Sequence, residues 1–467
     1  MSDFLIENIT IVTVNKERAI QENHALVTDG SLIKDIGPTV DITAKYGDTK
    51  KRIDGTGKIL FPGLINTHNH LFQNLLKGLG DNLALSDWLK KMTFPSAAHL
   101  IPNDTYDAAM LGCVDGIRSG TTTMLDYMYP HPVEGLSDGV LDAFKELKIR
   151  GIFGRGMMNT GMEYGTHQAI TQKIDEIEKD CYRLFDKFHE TENGRIKIWM
   201  APAAVWSNSK DLLKLTWKIT NEFNSGFTIH VSETPFDREA SLGLHGSYDM
   251  NVLEELGITG PNVLMVHSVY LTDRDIRAAK YYDMKVSHNP VSNMYLSSGV
   301  ARVPKMIESG VCVGLGSDGP ASNNSQDMIE LLKFTALLHK VETKDPTVLT
   351  SEKVLEMATI DGARAIGMEN EIGSIEIGKK ADFFIYNPSL HAKSIPMHHP
   401  VSTLVYSGTH ACVETVVIDG NIVLENGTLM TADEETIINN GQKSANALAE
   451  RAGTSGNKRR AWTSLAF

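Results

Sequence analysis

The sequence predicts an α/β protein: a closed (β/α)8 barrel with a small β-sandwich domain assembled from both ends of the chain. Three observations carry this. Eight short apolar, strand-like runs alternate with longer helix-compatible segments, and eight such repeats over about 300 residues close a parallel sheet into a barrel. β-prone runs divided by turns both precede and follow that region, so the two ends supply halves of one flanking domain. The unusual polar residues fall at the C-terminal ends of the strand-like runs, the rim where barrel enzymes build their sites.

Taken in order, residues 1–58 alternate β-prone runs (4–14, 25–28, 32–36 and 52–59) with turns, passing through Gly55 and Gly57. The barrel is expected over 59–370. Its eight strands are predicted at 64–70, 121–127, 150–157, 196–206, 227–233, 263–269, 285–290 and 312–319. Helical patterns lie between them at 134–148, 168–189, 208–223, 272–282 and 325–339, with one more at 351–367. The β texture returns at 373–377, 381–386, 413–418 and 421–425, completing the small domain over 371–430. Residues 431–467 hold a helical segment and a Gly/Ser/Lys/Arg stretch at 453–460 that is expected to be poorly ordered.

Composition narrows the function. The chain is 42% apolar and 22% charged, as ordinary globular proteins are. Acidic residues outnumber basic ones, 58 to 45, for a formal charge of −13. Such a balance gives no electrostatic footprint for nucleic acid or anionic lipid and points to a small-molecule partner. There is no basic leader, and no run of about 18 uncharged apolar residues, so a cytoplasmic location without a membrane partner is expected. The four cysteines (Cys113, Cys181, Cys312, Cys412) are widely spaced and form no Cys-x-x-Cys, which speaks against a disulfide framework or a thiolate metal site.

The rim residues define a chemistry. His68 and His70 end the first predicted strand with i, i+2 spacing, which a strand turns to one side. His230 and Glu233 end the fifth, His267 the sixth, His288 the seventh and Asp318 the eighth. Any one of these histidines is explained as a core residue satisfied by a backbone carbonyl. Their accumulation on a single rim is not. Three neutral imidazoles and a carboxylate make a site for one divalent ion with a position left for water, whose pKa falls to about 7. Glu233 lies three residues after His230, so the strand must bulge or end there if both are to face the centre. It would then move the water's proton to the substrate. No lysine ends the fourth strand (Ala201-Pro202-Ala203-Ala204-Val205-Trp206), so a carboxylated lysine bridging two metals has no candidate.

The chain resembles the amidohydrolase superfamily, in its branch of mononuclear nucleobase and triazine aminohydrolases. The matching pieces are Pro62-Gly63-Leu64-Ile65-Asn66-Thr67-His68-Asn69-His70, His230-Val231-Ser232-Glu233, Ser287-His288-Asn289-Pro290-Val291-Ser292-Asn293 and Gly316-Ser317-Asp318-Gly319-Pro320-Ala321-Ser322-Asn323-Asn324. The resemblance implies His68, His70, His230 and Asp318 as ligands of one zinc, or alternatively iron. Glu233 is implied as acid/base, His267 as a group that orients water or polarises the substrate, and His288 as a substrate or supporting contact. It also implies a homo-oligomer. In the implied reaction a metal-bound hydroxide adds to a ring carbon bearing an exocyclic amine, and ammonia leaves.

Within the family, Arg155 matches an arginine that methylthioadenosine and adenosylhomocysteine deaminases place near their ligand. Ala203 and Ala97 stand where those enzymes carry a histidine for the purine and a glutamate for the ribose. A free ring, such as an oxidised purine, pterin, pyrimidine or triazine, is therefore expected, with a methylthioadenosine-type nucleoside as the alternative. Hydrolysis of a chloro- or alkylamino-triazine, or of a urea or amide, would use the same site. Candidate substrate contacts are Gln73, Trp88, Arg155, Trp206, His288 and Asn323, with His245 in a loop nearby.

Overall fold

The computed structural model describes residues 4–49 and 51–458. The chain opens with β1 (Phe4–Val12), β2 (Ile20–Asp29), β3 (Leu32–Pro38), β4 (Lys51–Asp54) and β5 (Ile59–Pro62). The barrel follows as β6 (Leu64–Asn69), β7 (Thr121–Met128), β8 (Arg150–Met157), β9 (Ile196–Pro202), β10 (Phe227–Val231), β11 (Val263–His267), β12 (Lys285–His288) and β13 (Val313–Leu315). The chain then returns through β14 (Phe383–Tyr386), β15 (Val413–Ile418), β16 (Asn421–Glu425) and β17 (Thr428–Leu429).

The barrel strands pair in parallel and in sequence order from β6 to β13. Every residue of β6, β7 and β8 is buried. A parallel sheet covered by helices requires this, and it explains why the strands read as continuous apolar runs rather than alternating ones. The last strand meets the first where the Asp318 N–H donates to His68 O (3.0 Å) and Thr67 Oγ1 to Leu315 O (2.9 Å). Of the predicted helices, 134–148 is observed as Leu136–Glu146, 272–282 as Asp273–Tyr281 and 325–339 as Met328–Thr343.

The flanking domain is one nine-stranded sheet, ordered β17-β16-β15-β14-β5-β1-β2-β3 with β4 beside β1. It curls until β3 meets the segment before β14, through Ile33 N–H to Lys379 O and Gly378 N–H to Ile33 O, both 2.8 Å. Phe4, Ile6, Leu26, Leu60, Phe383 and Ile385 fill its interior, so the two expected layers belong to one continuous sheet.

Two expectations are corrected. Residues 59–62, assigned to the barrel, are a strand of this sheet, pairing with β1 and with β14 (Leu60 opposite Ile385). An apolar run looks the same in either setting. The expected strand at 373–377 is an irregular segment with Gly373 and Gly378 both at φ 89. In the Gly/Ser/Lys/Arg stretch, Ser455–Lys458 form a short 3-10 turn, and residues 459–460 lie outside the described residues.

The flanking sheet sits against the N-terminal ends of the barrel strands. Arg150, the first residue of β8, reaches Asp382 at 2.8 and 2.9 Å and Asp419 at 3.3 Å. The opposite, C-terminal rim is left free for the site.

Candidate active site

β6 carries His68 and His70 to one side, with ring centroids 4.7 Å apart. β10 brings His230 to 4.9 Å from His68 and 5.3 Å from His70. Asp318, just beyond β13, places Oδ1 3.2 Å from His68 Nε2 and 3.4 Å from His70 Nε2. His68, His70 and Asp318 bring donor atoms to one centre, and His68, His230 and His267 bring theirs to an overlapping one. Two rings are aimed from behind: His70 Nδ1 is 2.6 Å from Tyr127 O, and His230 Nδ1 is 2.5 Å from Ala203 O. A carbonyl accepts only, so each Nδ1 carries the proton and each Nε2 turns its lone pair to the centre.

The residues fit a metal ion. His68 is fully buried, yet neither of its ring nitrogens has a hydrogen-bond partner. A buried polar group left so is costly, and its cost is relieved if the ring binds an ion. Burial holds His70 down at about 3, reinforced by His68, and holds His230 well below the usual imidazole range. Both rings are neutral, the form that ligates. Burial opposes ionisation of Asp318, but His68, 3.2 Å away, and the neighbouring imidazoles of His267 and His70 keep its carboxyl well below the usual range.

The awkward spacing of Glu233 is resolved by the backbone. β10 stops at Val231, and Ser232 takes a left-handed φ of 47°, which swings the next side chain back toward the cavity. Glu233 Oε2 lies 3.5 Å from His267 Nε2, and Oε1 accepts a hydrogen bond from Ser298 Oγ at 2.8 Å. Burial first, and then Asp237 and Asp318, push its carboxyl well above the usual range. His267 is held at about 4 by burial, and Asn293 Nδ2 lies 3.0 Å from its Nδ1.

His70, His230, Glu233, His267 and Asp318 floor a cavity at the rim. Its walls are mainly apolar and aromatic: Leu85, Trp88, Phe94, Tyr129, Met158, Trp206 and Leu296, with Gln73 between them. Among the described residues, neither lysine nor arginine lines it. Gln73 presents a buried Oε1 without a partner, Trp88 Nε1 donates to Ala321 O (3.2 Å) and Trp206 Nε1 donates to Asp237 Oδ1 (2.9 Å).

Four expected substrate contacts lie elsewhere. Arg155 points out of the barrel, to Asp180 (2.9 Å) on the helix Ile174–Phe188 and to Gln172 (2.9 Å). His288 is buried behind the floor, with Nε2 3.0 Å from Nε2 of His339. Asn323 Nδ2 donates to Ser317 O (2.8 Å) and holds its own loop. His245 closes the helix Pro235–His245 and places Nε2 3.0 Å from Val205 O. Ala203 lines the cavity; Ala97 does not, whereas Phe94 does. The sequence reading passed over Phe94, Tyr129, Met158, Asp237 and Ser298. Only Asp237 left a signal: Thr234-Pro235-Phe236-Asp237 is a helix-start pattern in which the aspartate caps Thr234 N–H at 2.8 Å.

A barrel with three histidines, an aspartate and a glutamate on its C-terminal rim belongs to a recognisable class. Residues 59–423 match the Amidohydrolase family, and the chain belongs to that family. It is a hydrolase of carbon–nitrogen bonds other than peptide bonds.

More particular likenesses lie within that class. The chain is 38% identical over 428 residues to a 5'-deoxyadenosine deaminase of Methanobrevibacter smithii, covering 91% of this chain and 94% of that one. It is 36% identical to a 5-methylthioadenosine/S-adenosylhomocysteine deaminase of Syntrophomonas wolfei, covering 95% and 99%. Among solved structures, a zinc-bound adenosine deaminase from Xanthomonas campestris superposes with a TM-score of 0.89 at 26% identity, covering 96% and 99%. The atrazine chlorohydrolase of Arthrobacter aurescens, at 24% identity, TM-score 0.88 and coverage of 95% and 100%, shares the fold.

Proposed function

We propose that the chain is a metal-dependent hydrolytic deaminase of an amino-substituted N-heteroaromatic ring, and that the ring is an aminopurine. One observation carries the reading: the Glu233 carboxyl, which burial pushes above its usual range, faces the same cavity as His70, His230, His267 and Asp318. His68, His70, His230 and Asp318 would hold a divalent ion, and zinc is the ion named in two solved structures of this fold. Such an ion lowers the pKa of water to about 7.

The protein's own groups do the rest. As water adds to the carbon bearing the amine, electron density moves to the adjacent ring nitrogen, and Glu233 gives that nitrogen its proton. Glu233 then takes a proton from the water oxygen and delivers it to the amine. The carbon–nitrogen bond breaks, ammonia leaves, and the remaining water proton restores Glu233. With Asn293 donating to its Nδ1, His267 keeps its proton on Nε2 and donates a hydrogen bond to the oxygen as charge develops there. The apolar walls keep bulk water from these transfers.

The relatives named for 5'-deoxyadenosine and methylthioadenosine support a nucleoside without a charged 5' group, and a cavity lined by no lysine or arginine among the described residues suits one. A free ring is the second reading, favoured by Ala203, which offers the cavity no hydrogen bond from its side chain. No described helix is long and apolar enough to cross a membrane, and a cytoplasmic homo-oligomer is the form this reading takes.

The test is ammonia release by the zinc-loaded protein from 5'-deoxyadenosine, methylthioadenosine, free aminopurines, aminopterins and aminotriazines. Turnover of the adenosines first is expected. Turnover of free rings alone would move the substrate to the second reading, and no release from any ring would overturn the deaminase.

A further inference from the structure

Glu233 faces the cavity only because the preceding residue, Ser232, is left-handed. On a regular strand a side chain three residues from His230 leaves by the opposite face. Serine does not take a φ of 47° unaided, since its Cβ crowds the backbone there. Something must hold the turn.

That group is Asp249, the first residue of the helix Asp249–Glu255, fully buried and absent from the lining of the cavity. Its Oδ2 accepts hydrogen bonds from both the N–H and the Oγ of Ser232, each at 2.7 Å. Its Oδ1 accepts from Ser241 Oγ, which fixes the carboxylate in the plane it needs. On the other side of the turn, the Tyr270 N–H donates to Ser232 O at 3.0 Å. Both peptide groups of the left-handed residue are therefore pinned, and the amide side is pinned by one side chain.

We propose that Asp249 is a positioning residue for the reaction: by clamping Ser232 in its left-handed turn, it sets the Glu233 carboxyl beside His267. The inference rests on the role of Glu233 given above. Asp249 has no contact with the cavity, so its effect must pass through the backbone at Ser232.

The experiment compares four variants of the zinc-loaded protein by kcat, KM, metal content and product affinity. Asp249→Ala is expected to lower kcat about tenfold or more, approaching Glu233→Gln, with KM and product affinity within about twofold and one metal per chain retained. Asp249→Asn, which still offers Ser232 an acceptor and Ser241 a partner, keeps most of kcat. Adding Ser232→Gly to Asp249→Ala restores much of the loss, because glycine takes a positive φ without a clamp. A residue needed only for packing would gain nothing from that second change. Asp249→Ala with parental kcat beside an inactive Glu233→Gln would overturn the proposal, as would a loss of fold or metal that Ser232→Gly leaves unrepaired. A fully active Glu233→Gln would instead overturn the reading of the site.

Discussion

At its N-terminal end the barrel meets the flanking sheet through Arg150, a guanidinium 1% exposed and paired with Asp382 and Asp419. At its C-terminal end it buries His68 as completely and gives neither ring nitrogen a hydrogen bond. Backbone strain divides the same way. Left-handed residues near the N-terminal ends, Lys148, Asn224 and Asp283, follow helices and close them in the ordinary manner. Those at the rim, Ser232, His267, Ser268 and Asp318, either belong to the site or lie beside it. The buried charge of Arg150 is paired within the fold, whereas the buried ring of His68 is left for a ligand to match.

Changes at the two ends should therefore separate activity from stability. Glu233→Gln is expected to lower kcat by about 10^2–10^4. Its melting temperature should be unchanged or higher, because a neutral amide replaces a carboxyl whose ionisation burial opposes. Ammonia release and calorimetry on one preparation check this, and a matched loss of both would erase the distinction between the ends.

Arg150→Met is the converse. It strands the buried Asp382 carboxylate, Asp419 keeping Lys380 at 3.2 Å, and should cost about 3–5 kcal/mol in urea unfolding, while kcat per folded molecule stays at the parental value. A substantial fall in kcat would mean that the docking face is coupled to the rim.

Asp126 sharpens the comparison through pH. Its Oδ1 accepts the Leu71 N–H (2.7 Å), its Oδ2 has no partner, and burial pushes its carboxyl up to about 7. An unfolded aspartate titrates near 3.9. Between those values the folded chain holds a proton that the unfolded chain has lost, so this group's contribution to stability falls as pH rises, by at most about 1.4 kcal/mol per unit. Asp126→Asn removes that slope. Its stability relative to the parent should climb from pH 5 to 7 and then level off; parallel curves would refute the assignment.

The smallest effect is expected at His288. Because it faces His339 and not the cavity, His288→Gln should change KM by less than about twofold, whereas Trp206→Ala, which strips an aromatic wall, should raise KM by about tenfold or more. Equal effects would return His288 to the substrate.

Much of the fold was legible for a physical reason. Strands covered on both faces leave apolar runs broken by turns, so the barrel strands could be counted from composition alone. Residues 59–62 were misplaced because the same signal does not say which sheet takes the run. The i, i+3 spacing of His230 and Glu233 announced a backbone irregularity, but not the aspartate that holds it.

Local sequence by itself determined which residue types end each strand, and with them the chemistry: imidazoles and carboxylates on one rim. Side and depth were decided only by the tertiary structure. Arg155 and His288 end strands as His70 does, yet one turns out to Asp180 and the other back to His339. Asp249 stands 16 residues beyond Glu233 and meets its turn only because the second helix after β10, Asp249–Glu255, starts against the strand end. Alternation along a strand is a local property, but the partner each side meets depends on which distant element packs there.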